Sequence, residues 1–121
     1  MSKFVPDAII DLLLAGVATA TRMDVVSDVG TPTDLSNTLA NTAMVAGDGN
    51  DYTIGAGDAS GRKVAMAEKT GVSITGSGTA LHVVLSLAAV ILDVTTCSSQ
   101  VLTSGGTVTF PTWDHEVLDP T

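Results

Sequence analysis

His82, His115 and Cys97 are the side chains best suited to bind a metal or attack a substrate. A zinc centre takes about four such ligands, or three and a water, usually supplied in closely spaced pairs. These three stand singly and match no zinc-ligand pattern. His82 lies in an apolar run and His115 in Trp113-Asp114-His115-Glu116, so both read as ordinary strand residues. Cys97 is the only cysteine, which rules out an intrachain disulfide. A nucleophilic thiol needs a base held beside it, and the sequence signals none. Cys97 therefore reads as a small buried hydrophobe.

The acids point to turns rather than to chemistry. Asp48-Gly49-Asn50-Asp51 resembles the start of a calcium loop, but Ala59 stands where an EF-hand would place its closing Glu. It reads as an Asx-rich turn, with a weaker calcium site shared with Asp58 as the alternative. Asp114 and Glu116 alternate and so share one strand face. A glycosidase would also need a cleft with aromatic platforms. The aromatics are only Phe4, Tyr52, Phe110 and Trp113. The glycines of Gly55-Ala56-Gly57 and Gly76-Ser77-Gly78 lack the Gly-Lys-Ser and strand-to-helix setting of a phosphate loop. No Gly-x-Ser-x-Gly elbow is present. The expectation is a chain with no catalytic residues, no metal site and no cofactor. Arg62 has two readings. It pairs within the chain, with Asp58 or an acid on a neighbouring strand, or it forms a bidentate bridge to another subunit.

The elements that carry these residues follow from patterning. Pro6 and Asp7 suit a helix start. Ile9, Ile10, Leu12, Leu13, Leu14 and Val17 then spread over more than one face. A helix over 6–18 would be apolar around much of its circumference, so it needs deep burial or a neighbouring subunit. From Arg22 the texture turns to Val, Thr, Ser and Gly with frequent turn residues, the mark of short strands. We expect strands over 23–27, 52–54, 63–67, 72–74, 81–85, 90–96, 100–103, 108–110 and 113–118. Residues 39–45 suit either a strand or a short helix. Ser104-Gly105-Gly106-Thr107 predicts a hairpin over 100–110, because glycines take positive φ without steric cost. The expected fold is mainly β: a short N-terminal helix, then a small antiparallel β-sandwich or flattened barrel of about eight strands. Residues 1–121 read as one domain, with an arm and helix over 1–20 and a β domain over 22–118.

Composition narrows the partners. Of 121 residues, 45% are hydrophobic but only 3% aromatic, so Val, Ala, Leu and Ile must build the core. Charged residues make up 15%, with thirteen acids against five bases and a net charge of −8. Nucleic-acid binding needs clustered Lys and Arg, and only Arg62-Lys63 adjoin, so no direct nucleic-acid contact is expected. The run over 81–92 is too short to span a membrane, and 8–18 is interrupted by Asp11, so neither a membrane segment nor a signal peptide is expected. A surface poor in Lys loses little side-chain entropy when it is ordered against a partner.

The chain resembles a family of small virion structural proteins of tailed bacteriophages. The resemblance rests on phrases in order through most of the chain: Gly57-Asp58-Ala59-Ser60-Gly61-Arg62-Lys63, Gly71-Val72, and Gly78-Thr79-Ala80-Leu81-His82-Val83. It continues at Val94-Thr95-Thr96-Cys97-Ser98-Ser99-Gln100-Val101-Leu102-Thr103 and Trp113-Asp114-His115-Glu116-Val117. It is weakest over 34–52. It implies a non-enzymatic particle component with a short apolar helix and an all-β domain. The expectation that follows is a capsid decoration, or cement, protein on the virion surface. Its partners would be itself, as a homotrimer, and the major capsid protein or other virion proteins. A neck, tail or fibre component is the first alternative, and a ligand-binding β module the second. The candidate interface residues are Phe4, Val5, Ile9, Leu13, Arg62 and Trp113, with Met1 to Pro6 as an arm reaching the shell.

Overall fold

The computed structural model describes residues 7–58 and 60–117. Among these, one helix, α1 (Asp7–Val17), precedes nine strands. They are β1 (Arg22–Val26), β2 (Thr38–Ala43), β3 (Tyr52–Ala56), β4 (Arg62–Met66) and β5 (Lys69–Ser73), then β6 (Gly78–Leu87), β7 (Val90–Leu102), β8 (Thr107–Phe110) and β9 (Trp113–Val117). All ladders are antiparallel and form three sheets, ordered β2-β1-β6-β7, β3-β4-β9 and β5-β8. An isolated bridge between Ala40 and Ile74 links the first sheet to the third on the β2 side. The sheets do not close into a barrel.

One core joins all three sheets. Met23, Val25, Val83 and Leu85 come from the first sheet, Tyr52, Val64 and Met66 from the second, and Val72 and Phe110 from the third. Helix α1 lies over β4 and β3 and adds Ile10 and Leu14, a spacing of four that keeps them on one face, and Ala18 just past its end joins the same core. Tyr52 is fully buried, and its hydroxyl donates to the Ala20 carbonyl at 2.8 Å. Burial pushes its phenol up to about 12, so it stays a donor at neutral pH. Gly57 sits in a close approach that only glycine allows: a Cβ there would collide with the Ser60 carbonyl.

Two expectations change and one open reading is decided. Of the two readings for 39–45 the strand holds, over 38–43, because β1 offers it a ladder from Arg22 to Val26. The segments 90–96 and 100–103 fuse into the single 13-residue β7, which β6 pairs on both sides of a register shift at 97–99. The hairpin over 100–110 is not formed as a ladder. The turn exists, with Gly105 at φ 95° and Gly106 N–H donating to the Thr103 carbonyl. Its two arms pair elsewhere: Gln100 to Leu102 with β6, and β8 with β5. Turn chemistry sets a reversal of the chain but not which edges meet. The longest hairpin, β6-β7, turns through Ala88 and Ala89 at φ 49° and 67°. Left-handed alanines cost roughly 1–2 kcal/mol each, so the long ladder rather than the turn secures this reversal.

Candidate interaction surface

Helix α1 presents two apolar faces. Ile10 and Leu14 are buried, whereas Ile9, Leu12 and Leu13 are 49%, 69% and 62% exposed. Leu12, which was not among the candidate interface residues, is the most exposed of the three. Asp11 interrupts the run without turning toward open solvent. Arg62, at the start of β4, donates to it from Nε at 2.8 Å and Nη2 at 3.3 Å. Arg62 therefore has an intrachain partner, on the helix rather than on Asp58, and this fork tethers α1 to the second sheet. Asp58 pairs instead with Lys63 at 2.7 Å, which also lies 3.5 Å from Asp114. Phe4 and Val5 lie outside the described residues.

Trp113 opens β9 opposite Met66 and packs half-buried against the core. Its indole Nε1 is buried and has no hydrogen-bond partner among the described residues. It lines one of two adjoining cavities, of about 190 and 260 Å³, that share Val83, Cys97, Ser98, Phe110 and Pro111. They occupy the wedge where β7 and β8 diverge from the 103–106 turn. Burial pushes the Cys97 thiol up, away from the thiolate a nucleophile needs.

The other polar candidates are engaged locally. Asp48 accepts the Ile54 N–H at 3.0 Å. Asp51 accepts the Val45 N–H at 2.6 Å and the Lys69 ammonium at 2.9 Å. These bonds, led by the one from Lys69, hold the Asp51 carboxyl below its usual range. This is the Asx-rich turn. Glu116 accepts the Asp58 N–H at 2.9 Å. His82 Nδ1 faces the Asp28 carbonyl at 3.0 Å. His115 Nδ1 lies 3.0 Å from Asp93 Oδ2 and joins β9 to β7, while burial raises the Asp93 carboxyl. Among the described residues, no three His, Cys, Asp or Glu side chains converge as metal ligands. No helix there is long and apolar enough to cross a membrane.

One polar cluster was not visible in the sequence. Asp24, on the central strand β1, is fully buried. Arg22 grips it with Nε at 2.6 Å and Nη2 at 2.7 Å, and the Thr38 hydroxyl donates to it at 2.7 Å. Arg22 and Asp24 stand two apart, so they share the face opposite Met23 and Val25.

The fold and surface define a mainly antiparallel β domain with an N-terminal helix whose outer face is apolar. No protein-family model, curated protein or solved structure matches the chain.

Proposed function

We propose that this chain is a non-enzymatic virion structural protein of a tailed bacteriophage, a head decoration protein that self-associates and docks on the shell in many copies. The observation that carries the reading is α1. With Ile10 and Leu14 inward and Ile9, Leu12 and Leu13 outward, the helix is apolar on both sides. A helix of that kind belongs in an interior, and here a second interior requires another protein. The surface suits the role: Lys is scarce, and the carboxylates described above are held by backbone N–H groups or basic side chains. Closed cyclic clusters are the norm for such assemblies, and a trimer is the form we favour. Many weak shell contacts then add through multivalency.

The Leu12→Lys/Leu13→Lys double variant tests this. Both positions are exposed, so the monomer should keep its circular dichroism and its melting point within a few degrees. It should sediment as a monomer where the wild type sediments as a cluster, and its binding to shells lacking the protein should fall at least about tenfold. Unchanged sedimentation and shell binding would remove α1 from the interface and withdraw the reading's main support.

The neck, tail or fibre alternative shares this surface and differs in copy number. The wedge between β7 and β8 is the observation that favours a ligand-binding module.

A further inference from the structure

We propose that the hairpin tip Leu87-Ala88-Ala89-Val90 is a docking knob, and that it seats in the wedge between β7 and β8 of a second copy of this chain. The inference rests on the self-association part of the reading above, and it names a contact that joins one copy to the next.

The knob follows from a mismatch between turn and sequence. Ala88 and Ala89 both take positive φ, as a two-residue type I′ hairpin turn requires. That turn favours Asn-Gly, which adopts positive φ with less strain and offers polar groups to water. Here two alanines occupy it, strained and apolar. Residues 87–90 are all exposed, Val90 at 61% and Leu87 at 38%. Leu87 and Val90 are cross-strand partners, so their side chains project from one face. From Val83 to Leu92 the chain carries no charge. A tip that met only water would be more stable as Asn-Gly. Strain kept together with exposed apolar surface is the mark of a partner contact. The tip also lies near the C-terminal end of α1, because the Thr21 N–H donates to the Ser86 carbonyl at 3.0 Å.

The socket is on the same molecule. The two adjoining cavities lie where β7 loses its register on β6. Ala80 pairs with Gln100 and His82 with Thr96, so 97–99 have no ladder partner on β6. Cys97 and Ser98 from that stretch line both cavities, with Val83, Phe110 and Pro111. An apolar cavity of ~150 Å³ already takes a benzene-sized group. The larger of these, about 260 Å³, has room for a leucine and a valine side chain. A chain cannot seat its own tip. Val90 and Cys97 lie on one strand, about 20 Å apart at ~3.3 Å per residue, and the β6 ladder holds them there. Knob and socket therefore use different ends of β7, and the contact is head-to-tail. Such a contact closes into a ring when its rotation allows, and three copies give the trimer favoured above. A lipid surface is a poorer match, because no Lys or Arg stands in 83–92 and the chain is strongly acidic.

Ala88→Asn/Ala89→Gly tests the knob. Relief of strain should raise the melting temperature by several degrees, whereas self-association on sedimentation should weaken at least about tenfold. Cys97 lines both cavities and reports occupancy. Full-length Ala89→Cys/Cys97→Ser chains are mixed with wild-type chains and treated with diamide, which takes the two thiol hydrogens as the S–S bond forms. The expected product is a covalent pair whose peptide map joins residue 89 of one chain to residue 97 of the other. Clusters that persist at wild-type affinity in Ala88→Asn/Ala89→Gly, or links that join only 89–89 or 97–97, would overturn the contact while leaving self-association intact. Flotation of the wild type with phosphatidylcholine vesicles, lost in that variant while its clusters persist, would assign the tip to lipid instead. A wild type that sediments as a monomer would overturn both the contact and the self-association it rests on.

Discussion

Tyr52→Ala should destabilise the domain by about 3–5 kcal/mol, the usual range for removing a large buried aromatic side chain. Tyr52 is the largest fully buried side chain, and it stands where α1, β3 and β4 meet. Its loss would open a cavity in the core and leave the Ala20 carbonyl without its donor. Tyr52→Phe isolates the second effect and should cost about 1 kcal/mol. Urea unfolding at neutral pH measures both. A domain of this size holds roughly 5–15 kcal/mol, so the alanine variant should melt far lower or fail to accumulate. A loss below about 1 kcal/mol for Tyr52→Ala would mean that the helix does not pack here.

Arg22→Ala should be nearly as damaging, and worse than Asp24→Ala. The asymmetry comes from exposure. Asp24 is fully buried, whereas the Arg22 side chain is 43% exposed. Removing Arg22 strands a buried carboxylate with only the Thr38 hydroxyl, which costs about 3–5 kcal/mol. Removing Asp24 frees a guanidinium that turns to water, and the cost is nearer 2 kcal/mol, that of losing charge-assisted hydrogen bonds. Equilibrium unfolding of the two variants and the double variant gives the order and the coupling. Equal losses, or a larger one for Asp24→Ala, would contradict this account of the cluster.

How much of this was legible in the sequence varies with the distance over which the deciding contact acts. Pro6-Asp7 and the apolar run place α1 within a residue at each end, and alternation places most strands. These are local signals. The partner of Arg62 is Asp11, 51 residues earlier, and no local pattern joins them. The same limit hid the Asp24 cluster. By alternation Asp24 reads as an outward residue on a half-buried strand, but β1 is central and its second face is covered too. Val26 and Val84 on that face are fully buried. The failure at 100–110 is of another kind. Ser104-Gly105-Gly106 encodes a turn correctly, but Gly78 to Ala80 and Val72 to Ser73 win the two edges. The divergence that results creates the wedge, so the most suggestive part of the surface lies where the local reading fails. Of the candidate interface, Ile9 and Leu13 face outward, Arg62 is held by the helix, and Trp113 lines the groove.

The most direct test of the decoration reading is copy number, by quantitative mass spectrometry on purified particles with heads separated from tails. The account predicts the protein in the head fraction, at a number close to that of the major shell protein. A few copies in the tail or neck fraction would contradict decoration and favour the tail component. Absence from the particle would contradict the virion role altogether and return the β7–β8 wedge to consideration as a ligand site.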